Sequence, residues 1–99
     1  MDALFTNPEN LQPGDLVMMA GLQIGHVDFL SFDPTNALTH VQVHIERSVV
    51  VKTDSIATIN TAVSPGRSSI VLDGGSSGAP AAYPGTILMT REKPGSGKL

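Results

Sequence analysis

Hydrophobic and polar residues alternate along much of this chain with a period of two rather than 3.6. The clearest instance is Val41, Val43 and Ile45 interleaved with Gln42, His44 and Glu46, which predicts a strand with one buried and one wet face. Short runs rich in β-branched residues repeat the signal at 23–30, 48–51, 55–60, 69–72 and 86–89. No stretch of ten residues carries helical spacing. Four prolines are each followed by glycine, at Pro13-Gly14, Pro65-Gly66, Pro84-Gly85 and Pro94-Gly95. Proline presets φ for the second position of a turn and glycine supplies the positive φ of the third, so these pairs mark corners. Six or seven short strands at close intervals must protect their edges, which predicts an all-β fold closed into a small β-barrel rather than a flat meander.

Length and composition narrow the picture. At 99 residues the chain has room for one domain, and 40% hydrophobic against 15% charged residues separates it from disordered sequences. Residues 1–10 read as a lead-in, 11–90 as the barrel, and 91–99 as a frayed tail foreign to the domain. Segment 73–82, DGGSSGAPAA, has no large apolar side chain to anchor it and reads as a mobile connection. The formal charge is −3 and cations never occur in runs, which argues against a nucleic-acid partner, since phosphate affinity needs clustered cations. The aromatics Phe5, Phe29, Phe32 and Tyr83 do not interleave with Lys or Arg, so a base-stacking platform is disfavoured too. Absence of cysteine removes disulfides, Cys-ligated zinc and thiol nucleophiles. The apolar runs are far shorter than the ~20 residues of a spanning helix, and residues 1–8 lack the basic start and apolar core of a signal peptide.

Candidate chemistry is sparse. His40 and His44 are four apart, which on a strand separates them by roughly 13 Å, whereas chelation at that spacing needs a helix. The histidines, His26 included, read as solvent-facing strand residues, and no metal or cofactor is expected. The carboxylates are dispersed, with no close pair and no calcium-loop spacing. The sharpest enzymatic signal is Gly74-Gly75-Ser76-Ser77-Gly78, which satisfies G-x-S-x-G around Ser76, while Gly75-Ser76-Ser77-Gly78 resembles the nucleophile turn of chymotrypsin-like proteases with Ser77 as nucleophile. An α/β-hydrolase elbow leads into a helix, yet Ala79-Pro80 follows here. A chymotrypsin-like protease resembles two such barrels, and a single one lacks the base that activates serine. A protease fragment therefore stands as a remote alternative, and the expectation is that the chain is not an enzyme.

The first half of the chain has a glycine-marked framework: Leu11, Pro13-Gly14-Asp15, Val17, Gly21, Ile24-Gly25 and Val27. Gly14 turns the chain into a strand, while Gly21 and Gly25 permit a tight hairpin or a close backbone approach that a Cβ would block. After the strand ending at Ile45 comes Val51-Lys52-Thr53-Asp54-Ser55-Ile56-Ala57-Thr58-Ile59, and then Gly66 followed by Ile70 and Leu72. In order and spacing these pieces resemble the MCE domain of the MlaD-type family, over residues 11–88. The resemblance implies a seven-stranded barrel assembling as a homo-hexameric ring, with lipid of the phospholipid class crossing a bacterial-type cell envelope through the central pore. It further implies an ABC-type permease as membrane partner, and a periplasmic or envelope location with an anchor that this chain does not contain. In the family the pore is lined by the loop before the glycine matching Gly66, usually with paired leucines. The matching positions here are Ser64 and Pro65, preceded by Ala62 and Val63, so the resemblance implies a pore lining of Ala62, Val63, Ser64 and Pro65 that is smaller, stiffer and less greasy. The other reading is a structural or partner-binding barrel without a lipid conduit.

Overall fold

The computed structural model describes residues 1–64 and 67–92, with backbone alone at 62–64 and 67. Seven strands follow one another: β1 (Asp2–Phe5), β2 (Leu16–Met19), β3 (Leu22–Asp33), β4 (Leu38–Ile45), β5 (Ile56–Ser64), β6 (Arg67–Leu72) and β7 (Ile87–Thr90). They close into a barrel in the order β1-β4-β3-β2-β6-β5-β7, sealed by parallel pairing of β7 with β1. The all-β barrel expected from the period-two pattern is thus the fold observed.

Alternation places one set of side chains inside. Ala3 and Phe5 of β1, Val17 of β2, Ile24 and Val27 of β3, Val41 and Val43 of β4, Ala57 and Ile59 of β5, Ile70 and Leu72 of β6, and Leu88 of β7 form the core, with Leu11 and Val51 added from loops. These side chains fill the barrel, as they do in other barrels of this size. It is a packed core rather than a channel.

Two elements depart from the sequence reading. Asp2–Phe5, read as part of a lead-in ahead of the barrel, forms β1 and pairs antiparallel with β4 from Asp2↔Gln42 to Phe5↔Thr39. With two buried residues in four, it is too short to show a period by itself. The run at 48–51, expected as a strand, is a loop. Val49 N donates to the Glu46 carbonyl at 3.0 Å, turning the chain, and Val51 is then buried under the barrel rim with its carbonyl accepting from Ala82 N at 2.6 Å.

Two Pro-Gly corners show the left-handed glycine they predict, Gly14 at φ +91 and Gly85 at φ +94. The β2–β3 hairpin turns through Ala20 (φ +53) and Gly21 (φ +80), the two successive positive angles of a type I′ turn. The corners at Pro65-Gly66 and Pro94-Gly95 lie outside the described residues.

Candidate functional site

The stretch singled out by the sequence, Ala62, Val63, Ser64 and Pro65, falls at the β5–β6 connection. β5 continues through Ser64, so Ala62, Val63 and Ser64 belong to a strand rather than to a turn. Pro65 and Gly66 lie outside the described residues. The register moves from Asn60↔Ser69 to Ser64↔Arg67, which sets three residues of β5 against Ser68 alone. Such a bulge bends and twists a hairpin arm and gives it a direction of its own. Its base is fixed, because the buried Ser68 hydroxyl donates a 2.7 Å bond to the Glu9 carbonyl in the loop after β1.

The remaining singled-out glycines have separate geometric reasons. Gly14 N donates to the Val27 carbonyl at 2.8 Å, tying the first corner to β3. Gly25 carries no positive φ; it faces the β4 backbone, and a Cβ built there would coincide with the His44 carbonyl oxygen and lie 3.1 Å from Ile45 Cα.

The serine motif is held by the carboxylates of Asp54 and Asp73. Ser76 Oγ donates a 2.6 Å bond to Asp54 Oδ2, and Ser76 N lies 3.1 Å from Asp54 Oδ1. These bonds from Ser76, side chain first, hold the Asp54 carboxyl below its ordinary value. Asp73 Oδ1 accepts from Ile56 N at 2.9 Å and from Gly75 N at 3.1 Å. Farther along, Thr53 N donates to the Pro80 carbonyl at 2.9 Å, and Lys52 bridges to Ala81. Segment 73–82, read from its small side chains as a mobile connection, is therefore tied down through its backbone. Ser77 is exposed, and the hydrogen bonds of Ser76 lead to Asp54 rather than to a histidine.

The histidines lie on the outer wall. His40 Nε2 is 3.2 Å from Asp2 Oδ1. His26 and His44, eighteen positions apart in sequence, are direct partners across β3 and β4, with ring centroids 5.1 Å apart and Asp28 Oδ1 at 3.3 Å from His26 Nε2. Sequence spacing gave no sign of that pair, which only the register creates. Beside it runs an open groove of about 640 Å³, whose lining includes Met1, Asp28, His44, Ile45, Glu46 and Arg47. Among the described residues no group of three or more His, Cys, Asp and Glu could hold a metal ion, and no helix is long and apolar enough to cross a membrane.

The outer wall also carries apolar side chains. On β7, Leu88 points inward while Ile87 and Met89 point outward and are 57% and 58% exposed, with Ile56 of β5 beside Met89. Phe29 of β3 is half exposed on the same wall, in a row running through Gln42 and Asp2 to Ile87.

Comparison with known proteins places this geometry among relatives. The family profile described as MlaD protein matches residues 1–75. Among solved structures, a chain of the Acinetobacter MlaFEDB complex in an ATP-bound Vtrans1 conformation is similar, with a TM-score of 0.77 at 16% identity. That likeness covers 94% of this chain and 74% of the Acinetobacter chain. No curated protein matches at a significant level.

Proposed function

The chain belongs to the MlaD family, a lipid-transport family and not an enzyme family, and from that premise we propose that it is the ring-forming, lipid-conducting module of an envelope transporter. The observation that carries the reading is the family match over residues 1–75, and the packed barrel core adds a constraint. With Val17, Val27, Val41, Ala57, Ile70 and Leu72 filling the barrel, an acyl chain has no path through a single copy. A conduit therefore requires several copies around a shared axis, and the homo-hexameric ring supplies one.

The outward Ile87 and Met89, with Ile56 beside Met89, support assembly with further copies, since neighbouring exposed apolar side chains are a common mark of a protein contact. In the ring, the β5–β6 arm carrying Ala62, Val63, Ser64 and Pro65 faces the axis. Transport asks for no catalytic residue. Moving an acyl chain from water into an apolar opening gains about 0.8 kcal/mol per CH₂, so a dozen methylenes give a driving force on the order of 10 kcal/mol. Small side chains at the opening leave room for passage without a strong hold at any one point. The partner is an ABC-type permease, by analogy with the MlaFEDB complex that contains the similar chain. The setting is the periplasm or cell envelope.

Native mass spectrometry of the purified chain tests the reading. A particle of six copies with co-purifying phospholipid is the expected result. A lipid-free monomer at high concentration would favour a structural or partner-binding barrel instead.

A further inference from the structure

We propose that His26 and His44 form a binding site for a divalent transition-metal ion of the zinc class on the outer wall of β3 and β4. Neither the family match nor the lipid-transport reading calls for it, and it stands independently of both.

Two imidazoles bound to one tetrahedral zinc, with Zn–N of about 2.0–2.1 Å, have ring centres about 5 Å apart. The His26 and His44 centroids are 5.1 Å apart, and the planes are tilted by 32°. The rings reach this spacing because His26 and His44 are directly paired across the ladder, on rigid strands rather than on loops. Strand pairing thus supplies the preorganisation that an i, i+4 spacing supplies on a helix.

Asp28 contributes the second feature. Its carboxylate lies 3.3 Å from His26 Nε2, which sets an anionic oxygen beside the imidazole pair and favours a cation there. Asp28 itself stands at the register shift between Val27 and Phe29. Two imidazoles leave two tetrahedral positions open for water or an anionic oxygen. Asp28 and His44 also line the groove, together with Glu46 and Arg47. Two protein ligands are consistent with the lack of any three-residue cluster among the described residues. A bound ion would clamp the register of the β3–β4 hairpin.

Titration of the chain with Co²⁺, read by visible absorption, and with Zn²⁺, read by calorimetry, tests the site. The expected result is one ion per chain, with His26→Gln and His44→Gln each weakening Zn²⁺ binding at least tenfold. Asp28→Asn weakens it about tenfold. His40→Gln, on the same strand as His44 but outside the pair, leaves it unchanged. Zinc should also raise the Tm of the parent chain and not that of the His26→Gln or His44→Gln variant, which controls for variants that fold without the site. Parent-like affinity in both His26→Gln and His44→Gln would overturn the proposal. So would an equal loss in His40→Gln, or binding by the parent chain weaker than about 1 mM.

Discussion

The carbonyl oxygen of His44 on β4 stands where a Cβ on Gly25 of β3 would have to be. Gly25 is buried and pairs with Ile45, so the two strands close to a separation that only a glycine tolerates here. Because the obstruction is backbone, it cannot swing aside as a flexible side chain could. Gly25→Val should cost more than about 2 kcal/mol, lowering Tm by on the order of 10 °C, and Gly25→Ala should meet the same obstruction. Thermal denaturation followed by circular dichroism measures it.

Residues 91 and 92, read from the sequence as the start of a frayed tail, are instead tied to the barrel: Arg91 N donates to the Ala57 carbonyl at 3.0 Å, and Glu92 clamps the exit of β1. Its carboxylate accepts from Thr6 N at 2.8 Å, Thr6 Oγ at 2.8 Å and Asn7 N at 3.0 Å. Partial burial pushes this carboxyl up, but the bonds from Thr6 and Asn7 outweigh burial and hold it below the ordinary glutamate value of 4.5. A lowered folded-state value gives stabilisation that is complete above the unfolded-state value and is lost as pH falls through the folded one. Glu92→Ala should therefore lose about 1 kcal/mol at neutral pH, a figure kept small by solvent exposure. Denaturant titrations of both proteins should converge once the pH is well below 4.5.

Ala20 holds φ +53 at the first central position of the β2–β3 turn, where asparagine or glycine is the natural occupant. Ala20→Asn should stabilise the chain by about 0.5–1 kcal/mol, since asparagine tolerates the left-handed region better than alanine. The same denaturation assay reads the gain.

Asp54 and Ser76 form one of the ties that keep segment 73–82 on the barrel. Gly75, at φ +67, leaves its missing Cβ position 2.6 Å from Asp54 Oδ1, so the loop is folded tightly onto this carboxylate. Asp54→Ala should accelerate hydrogen exchange at the Gly75 and Ser76 amides while the β3–β4 amides stay protected. The parent protein should show the same local loosening only in acid below about 3.8, the ordinary aspartate value, because the bonds from Ser76 hold the folded-state value lower still. Unchanged exchange in Asp54→Ala would show the tie to be incidental.

These ties explain what was legible in the sequence and what was not. Val41, Val43 and Ile45 announced β4 because one face is buried and the other wet. β1 was hidden because its identity as a strand comes from its partners β4 and β7, not from its own four residues. Segment 73–82 looked loose because its side chains are small, yet its anchors are backbone amides reaching Asp54 and Asp73. In β3 the register shifts between Val27 and Phe29, which interrupts the alternation and leaves Phe29 on the outer wall. His26 and His44 looked isolated because their relation is one of register. Of the candidate pore arm, its place between a strand and a glycine was legible in the sequence. That its first three residues extend β5 was not, since Ala62, Val63 and Ser64 carry no clear period.

The proposed conduit makes the sharpest demand on Val63. In a six-copy ring, Val63→Asp puts six carboxylates around a narrow apolar opening. Each must stay hydrated or be stripped of water when an acyl chain enters, and their mutual repulsion raises the cost of drying the opening. Segment 60–66 has no charged residue, so the substitution changes its character and not merely its degree. Transport in cells should fall while circular dichroism and particle mass stay those of the parent. A photo-crosslinking residue at position 63 should capture lipid, whereas one at His44, on the exposed outer wall of β4, should not. Val63→Leu, which changes bulk without adding charge, should retain transport and so separate the electrostatic effect from simple disturbance of the arm. Equal lipid labelling at both positions, or none at either, would remove this arm from the lipid path and leave the barrel as a scaffold for its partners.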